Sequence, residues 1–154
     1  MKTFDPPLET RIQHFVEACR KGGVSVTPQR VLIFKSLAST DSHPTADEIY
    51  SGIKKELPTV SLATVYKTLE TFERLGFISK TRVTGERARF DANREHHHHL
   101  ICKRCGLIAD IYDQALHRTL SHEKMRSGFR VEQYRIDFFG VCKNCRQQPE
   151  KRKS

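Results

Sequence analysis

Apolar residues recur every three or four positions in four stretches of the first half of the chain, which is the pattern of amphipathic helices. The predicted helices cover residues 8–21, 28–37, 46–56 and 62–75. Thr27, Thr45 and Ser61 precede three of these stretches as N-cap residues, and Gly22 and Gly76 follow two of them as stop signals. The first half of the chain is therefore predicted to be a helical unit.

The pattern changes from helical to strand-like immediately after the fourth stretch. Residues 77–83 and 88–90 are predicted to be two short strands on either side of the turn Thr84-Gly85-Glu86. Helices followed at once by a hairpin are the order of elements in a winged helix-turn-helix. We therefore predict this fold for residues 1–91, with Ser61–Leu75 as the recognition helix.

The polar face of the predicted recognition helix suits the major groove of DNA. Thr64 and Tyr66 present methyl and ring groups that can pack against thymine methyls, and Lys67 can reach a base acceptor or a phosphate. The formal net charge of +9 permits a polyanionic partner. An ordinary amphipathic helix with a solvated face stays an alternative at this point, because many soluble proteins are basic.

A second domain is predicted over residues 92–146, followed by a disordered basic tail over residues 147–154. Its predicted elements are strands at 98–101, 107–111 and 131–141 and a helix at 113–127. The predicted fold class is therefore α+β, with a winged helix-turn-helix followed by an α/β domain.

Two Cys-x-x-Cys pairs are the strongest chemical signal in the chain. Cys102, Cys105, Cys142 and Cys145 would supply four thiolates, which satisfy a tetrahedral Zn²⁺ and leave no position for a substrate. A thioredoxin-like redox pair, which would make the protein an oxidoreductase, and two disulfides are the alternatives; the second pair favours structural zinc. Cys19 stands alone on an apolar helix stripe and is predicted to be a core residue.

A run of four histidines, residues 96–99, offers a second kind of metal site. On a strand, alternation places His97 and His99 on one face and His96 and His98 on the other. Two imidazoles rarely complete a site, so further ligands are needed. The candidates are His43, Asp91 and Asp110. Surface histidines without a regulatory role stay an alternative when the residues are taken alone.

The N-terminal segment lacks the apolar core and the small-residue cleavage site of a signal peptide. No apolar run approaches the roughly 18 residues that a membrane span needs. Paired Cys-x-x-Cys motifs with one lone cysteine suit a reducing compartment better than a disulfide framework. We therefore expect a cytoplasmic protein with no membrane partner.

Six passages together resemble the ferric uptake regulator family over about residues 10–146. They are T-P-Q-R (27–30), H-P-T-A-D-E-I-Y (43–50), S-L-A-T-V-Y (61–66), R-F-D (89–91), H-H-H-H-L-I-C-x-x-C-G (96–106) and G-V-C-x-x-C (140–145). The resemblance implies a homodimeric, metal-dependent repressor of AT-rich inverted repeats in double-stranded DNA, and not an enzyme. It also implies that the second domain mediates dimerisation.

Site residues follow from the resemblance by position. It implies structural Zn²⁺ at the four paired cysteines. The expected DNA contacts are Arg30, Thr64, Tyr66 and Lys67. The implied regulatory site consists of His43, Asp91, His97, His99 and Asp110. A further site at His96, His98 and His117 is weaker, because other ligands of that family site are replaced in this chain.

The branch of the family depends on two carboxylates. The peroxide-sensing branch has Asp at the positions of Asp91 and Asp110, whereas iron-uptake members usually have Glu at the first and often at the second. Three imidazoles and two carboxylates suit Fe²⁺ or Mn²⁺. The resemblance then implies that H₂O₂ acts through the metal to oxidise His43 or His97. The alternative is an iron-responsive regulator without peroxide sensing.

Overall fold

The computed structural model describes residues 6–82, 87–113, 115 and 134–147. Its helices are α1 (Leu8–Lys21), α2 (Pro28–Ala38), α3 (Ala46–Ile53), α4 (Leu62–Arg74) and α5 (Lys143–Gln147). Its strands are β1 (Ser79–Thr81), β2 (Arg89–Asp91), β3 (His98–Cys102), β4 (Ile108–Ile111) and β5 (Asp137–Gly140). The chain divides into two compact units, of which the first ends at Arg94 and the second begins at Glu95.

Side-chain caps start three helices of the first unit. The Thr27 hydroxyl accepts a hydrogen bond from the backbone N–H of Arg30, and the Ser61 hydroxyl accepts one from that of Thr64. Thr45 and Glu48 form a reciprocal capping box at the start of α3. Each cap satisfies a backbone donor that the first helical turn leaves without a partner, so these helices begin where the sequence predicts.

Four phenylalanines form the centre of the first unit. Phe15 of α1 stacks on Phe34 of α2, with ring centroids 4.2 Å apart. Phe72 of α4 meets Phe15 edge to face at 4.9 Å, and Phe77 meets it at 5.2 Å. Cys19 is fully buried in the same core, as the apolar stripe predicts. This packing holds the buried face of α4 and leaves its opposite face to solvent.

Strands β1 and β2 pair antiparallel, with Lys80 opposite Phe90. The predicted turn residues 84–86 lie outside the described residues. Strand β2 also reaches the loop before α3, because the Phe90 N–H donates to the Pro44 carbonyl at 3.0 Å. A bridge between Thr45 and Arg89 continues this pairing. The hairpin is therefore held to the start of α3 as well as to itself.

The second unit contains a three-stranded sheet in the order β4-β3-β5. Strands β3 and β4 pair antiparallel, which places Asp110 opposite His99. Strands β3 and β5 pair in parallel, which places Asp137 opposite His99 and Gly140 opposite Cys102. His99 therefore lies between two aspartates in a row across the sheet.

The α+β class with an N-terminal winged helix-turn-helix is confirmed, and several predicted boundaries are corrected. The third helix ends at Ile53 instead of about residue 56, and Lys54 is its C-cap. Within the described residues, the strand predicted over 131–141 forms only at Asp137–Gly140. These four residues are the ones that pair with β3, which is itself only five residues long.

Helix α5 was not predicted from the sequence. The greater part of the predicted helix 113–127 and of the predicted tail 147–154 lies outside the described residues. Among the residues that the structure describes, no helix combines the length and the apolarity needed to cross a membrane.

Phe72→Ala is expected to lower the free energy of unfolding of the first unit by about 3–5 kcal/mol, because it leaves a cavity among three other phenylalanines. Urea titration followed by circular dichroism measures this change. Lys55→Ala is the control, since Lys55 is exposed and surface substitutions usually change stability by less than about 0.5 kcal/mol. A loss for Phe72→Ala no larger than that of the control would contradict the packing described.

Candidate metal and DNA-binding sites

The four paired cysteines meet at one end of the sheet of the second unit. Their ligand atoms all lie within 4.8 Å of one another, and the Sγ atoms of Cys105 and Cys142 are 3.8 Å apart. Two sulfurs bound to one zinc ion at about 2.3 Å in a tetrahedron lie about 3.8 Å apart. All five cysteines of the chain are free thiols, so the structure does not contain the two disulfides of the second alternative. The cluster therefore fits a structural zinc ion.

Local backbone geometry builds the two Cys-x-x-Cys turns. In the first turn, Gly106 adopts a φ of 69° and its N–H donates to the Cys102 carbonyl at 2.9 Å. In the second, α5 begins after Cys142 and carries Cys145 on its first turn. Arg104 joins the turns, because its guanidinium donates to the Cys145 carbonyl at 2.7 Å. The parallel pairing of β3 and β5 delivers both turns to the same end of the sheet.

The thiols of this cluster differ in acidity. Burial opposes ionisation of Cys102, but hydrogen bonds from the backbone N–H groups of Cys142, Cys105 and Arg104 lower its pKa to about 6. Hydrogen bonds with the Cys105 and Cys142 side chains raise the pKa of Cys145 to about 12. Four adjacent thiols cannot all ionise without a compensating cation, and a divalent ion supplies that charge. The donor set therefore fits Zn²⁺.

His97 and His99 form the second cluster, with Asp110 beside them. The Nε2 atoms of the two histidines are 3.1 Å apart, and the Asp110 Oδ1 lies 3.8 Å from one and 3.9 Å from the other. His99 is fully buried and His97 is 8% exposed. Three electron-pair donors thus converge on one point within the second unit.

The partners of the two Nδ1 atoms assign the protons of these imidazoles. The Nδ1 of His97 is 2.7 Å from the Glu95 carbonyl oxygen, and the Nδ1 of His99 is 3.2 Å from the Asp137 Oδ1. Carbonyl and carboxylate oxygens only accept hydrogen bonds, so each neutral imidazole carries its proton on Nδ1. Two Nε2 lone pairs then face each other at 3.1 Å, an arrangement that a cation between them stabilises. This donor set fits a metal ion.

His43 and Asp91 are the candidate metal ligands of the first unit, and they lie next to each other. His43 is buried with a positive φ of 50°, and its Nε2 is 3.6 Å from the Asp91 Oδ2. Its Nδ1 is 3.1 Å from the Asp41 carbonyl oxygen, the same arrangement as in His97. Arg89 donates to the His43 carbonyl at 3.1 Å, and the Asn93 N–H donates to the Asp91 Oδ1 at 2.7 Å. Both side chains are therefore held in place by local hydrogen bonds.

The further metal site predicted at His96, His98 and His117 is not assembled by the described residues. His96 and His98 contact Tyr134 through their rings, with centroids 4.7 Å and 5.9 Å from it. The Ile136 N–H donates to the His98 Nδ1 at 3.2 Å, so a neutral His98 carries its proton on Nε2. In this arrangement the His98 Nε2 carries a proton; His117 lies outside the described residues, so the further site stays a prediction.

The predicted DNA-contacting residues lie on α4 and α2. Tyr66 is 39% exposed, Lys67 is exposed, and the Thr64 hydroxyl is 2.8 Å from that of Ser61. On α2, the Arg30 guanidinium donates to the Ser25 carbonyl at 2.6 Å. The exposed side of α4 is thus available to a groove, while Thr64 takes part in the helix cap.

Sequence reasoning missed the role of Asp47 beside this helix. Its carboxylate accepts a hydrogen bond from the Tyr66 hydroxyl at 3.2 Å and forms an ion pair with Arg87 at 2.6 Å. Burial and this hydrogen bond raise the pKa of the Tyr66 phenol, which keeps it protonated. Asp47 lies in the first turn of α3, where an acidic residue stabilises the helix, so no local signal in the sequence points to its contact with Tyr66.

Sequence reasoning also missed the groups that orient the metal-binding histidines. Two are backbone carbonyls, of Asp41 and Glu95, which no residue pattern reveals. The third is Asp137, whose position opposite His99 depends on the pairing of β3 with β5. Tyr112 instead contacts a carboxylate of the site, since its hydroxyl donates to the Asp110 Oδ2 at 3.3 Å.

The chain is similar to known regulators along nearly its whole length. It is 35% identical over 141 residues to the peroxide-responsive repressor PerR of Staphylococcus epidermidis, an alignment that covers 92% of this chain and 94% of the relative. The peroxide stress regulator of Campylobacter jejuni superposes with a TM-score of 0.69 and 33% identity, covering 92% of this chain and 100% of that structure. The Helicobacter pylori ferric uptake regulator, at 24% identity, shares the fold with a TM-score of 0.81 and covers 97% and 100%.

A sequence model of a protein family also matches the chain and assigns it to that family. The sequence model of the ferric uptake regulator family matches residues 21–139. This range includes His97, His99, the first Cys-x-x-Cys pair and all of the winged helix-turn-helix after α1. This match spans more than half of the chain, in agreement with the relatives above. The chain belongs to the ferric uptake regulator family.

Proposed function

We propose that this protein is a metal-dependent, homodimeric transcriptional repressor that binds AT-rich inverted repeats and releases them when peroxide oxidises a metal-binding histidine. The observation that carries the proposal is the 3.1 Å approach of two imidazole Nε2 atoms beside Asp110, in a chain whose other unit is a winged helix-turn-helix. The similarity to peroxide-responsive repressors supports the same function.

The four cysteines are proposed to hold a structural Zn²⁺. A closed set of four thiolates has no open coordination position, so the ion stabilises the fold and does not catalyse a reaction. In this chain it would join the ends of β3 and β5, which contribute one Cys-x-x-Cys turn each. Zinc binding and folding of the second unit are therefore expected to be coupled.

The regulatory metal is proposed to bind His97, His99 and Asp110 of the second unit together with His43 and Asp91 of the first. Only residues 92–96 separate Asp91 from His97 in the sequence, so the connection between the units begins and ends at a proposed ligand. An ion bound to both sets would fix one relative orientation of the two units. Metal and operator then favour the same state and must tighten each other's binding.

The proposed regulatory metal is Fe²⁺ or Mn²⁺. Three imidazoles and two carboxylates are harder donors than thiolates and suit Fe²⁺ or Mn²⁺. When bound, Fe²⁺ supplies the reduction of H₂O₂ that Mn²⁺ does not. His43 and His97 are the proposed oxidation sites in this chain, and a ring that has gained oxygen no longer offers the same lone pair. Loss of either ligand would release the orientation of the units and the operator.

A homodimer is proposed to form on the face of the second unit's sheet that carries Leu100, Ala109 and Phe138. Within the described residues this face exposes Leu100 and Phe138, whereas Phe139, the next residue of β5, lies in the row of Ile101 and Ile108 on the other face. The register aligns Leu100 with Ala109 and Phe138 in one row across the sheet. A contiguous apolar face of this kind is typical of an interface, and a second copy would bring an identical face to it.

DNA recognition is proposed to use the exposed side of α4. Tyr66 would pack its ring against thymine methyls, while Lys67 would reach a base acceptor or a phosphate. Thr64 and Arg30 are the additional proposed contacts. The two α4 helices of a dimer would read the two halves of an inverted repeat, which mirrors the symmetry of the protein.

Cys145→Ser is expected to lose zinc and to become monomeric, because three thiolates no longer close the site that joins β3 to β5. Zinc content by elemental analysis and mass by light scattering measure both effects. Cys19→Ala is the matched control, since Cys19 is a buried core residue of the other unit and should keep full zinc content. A Cys145→Ser protein that keeps its zinc and stays dimeric would rule out the structural site.

Tyr66→Ala is expected to weaken operator binding by about 1–3 kcal/mol and to relax sequence specificity. Lys67→Ala is expected to weaken binding and, where Lys67 contacts phosphate, to make the salt dependence shallower by about one unit of slope. Fluorescence anisotropy with operator and scrambled duplexes measures both. Lys55→Ala removes the same charge outside α4 and should change neither quantity. Unchanged affinity for Tyr66→Ala would place the recognition surface elsewhere.

Operator binding with Fe²⁺ or Mn²⁺, each with and without H₂O₂, tests peroxide sensing. The iron form is expected to leave the operator at low H₂O₂, while the manganese form stays bound. Mass spectrometry of the treated iron form should show a gain of about one oxygen on the peptide holding His43 or His97. Asp91→Glu should keep metal-dependent binding and blunt the response. An iron form that stays bound with unmodified histidines would instead support an iron-responsive regulator.

A further inference from the structure

His99 lies between two carboxylates that contact opposite sides of its ring. Asp110 of β4 and Asp137 of β5 are both paired with His99 in the sheet register. Asp110 faces Nε2 at 3.9 Å, and Asp137 faces Nδ1 at 3.2 Å. The first carboxylate is placed as a ligand beside the proposed ion. The second lies on the Nδ1 side of the ring, so it would contact the histidine and not the ion.

The contact from Asp137 determines which nitrogen of His99 carries the proton. A proton on Nδ1 can be donated to the Asp137 carboxylate, which leaves the Nε2 lone pair for a cation. Without this acceptor the proton can move to Nε2, which is 3.1 Å from the His97 Nε2 lone pair. His99 would then donate a hydrogen bond to His97. That bond occupies both nitrogens that the metal needs.

Asp137 differs from the other groups that orient the metal-binding histidines. Asp41 and Glu95 contribute neutral backbone carbonyls, whereas Asp137 contributes a negative charge. Its carboxylate is fixed by Arg135, whose Nε donates to Oδ1 at 3.1 Å and whose Nη2 lies 3.5 Å from Oδ2. A charged acceptor on Nδ1 makes the opposite nitrogen a stronger donor to a metal ion.

We infer that Asp137 is a positioning residue for the regulatory metal: it holds His99 as the Nδ1–H tautomer and prevents a His99–His97 hydrogen bond from closing the site. This inference rests on the proposed role of His99 as a ligand. Outer carboxylates of this kind typically change metal affinity by about 10–100-fold. Asp137 therefore controls whether the two imidazoles accept a metal ion or bind each other.

The tautomer is measured first, on the full-length zinc-loaded protein without regulatory metal. Long-range ¹H–¹⁵N correlation spectra distinguish a protonated Nδ1 from a protonated Nε2 of His99. The parent protein and Asp137→Asn are expected to show Nδ1–H, because the Asn side-chain oxygen still accepts. Asp137→Leu, of similar size but without an acceptor, is expected to show Nε2–H. Nδ1–H in the Leu variant would overturn the inference.

Mn²⁺ affinity is measured next, by electron paramagnetic resonance of the free ion. Asp137→Leu is expected to bind about 10–100-fold more weakly than the parent, and Asp137→Asn to fall between them. Zinc content and the thermal unfolding midpoint should stay at parental values. If the Leu variant lowers zinc content, Asp137→Val replaces it, since a β-branched residue is favoured in a strand. Parental Mn²⁺ affinity without the acceptor would contradict the inference.

His99→Ala separates this inference from the proposed function on which it rests. If His99→Ala binds Mn²⁺ as tightly as the parent, His99 is not a ligand and the proposed regulatory site is wrong. If His99→Ala loses Mn²⁺ while Asp137→Leu keeps it, the site stands and only the role of Asp137 fails. Loss in both variants, with the tautomer change in the second, is the expected result.

Discussion

The parallel pairing of β5 with β3 is the interaction on which both metal sites of the second unit depend. At one end it places Gly140 opposite Cys102, so that the two Cys-x-x-Cys turns meet. Three residues earlier it places Asp137 opposite His99, about 10 Å away along the strand. A slip of one residue would turn every side chain of β5 to the other face. A zinc ion that closes the cysteine end would therefore also hold the register that orients the histidine end.

Local signals in the sequence predicted the helices of the first unit and the composition of the cysteine cluster. Thr27, Thr45 and Ser61 are caps within a few residues of the groups that they bind, so their roles can be found without the fold. The partners of the metal-binding histidines could not be found in this way. Two are backbone carbonyls, and Asp137 is separated from His99 by 38 residues and by a parallel pairing that no local pattern encodes. The contact between Asp47 and Tyr66 was missed for the same reason.

In the first unit, the residues proposed for metal binding and for DNA binding are connected through the start of α3. His43 is two residues from the Thr45 cap, and Asp47 in the first turn of α3 binds the Tyr66 hydroxyl. Arg89 of β2 holds the His43 carbonyl, and its neighbour Phe90 pairs with Pro44. A ligand that fixes His43 therefore acts on a segment already held by hydrogen bonds, and the hydrogen bond between Asp47 and Tyr66 connects this segment to the recognition helix α4.

The two metals proposed for this chain could be kept at separate sites along β3 because the donors of the two sites differ in kind. Divalent zinc generally binds more tightly than manganese or ferrous iron at any given nitrogen or oxygen site, so affinity alone would place it in both sites. Thiolates offer zinc a much better site, and the lowered pKa of Cys102, about 6, makes the first thiolate available at neutral pH. The histidine cluster competes less well for zinc because its donors are imidazoles and carboxylates. Selection of a harder ion at the histidine cluster would then depend on the geometry of the donors. In this chain, the hydrogen bonds at the Nδ1 atoms of the histidines fix that geometry.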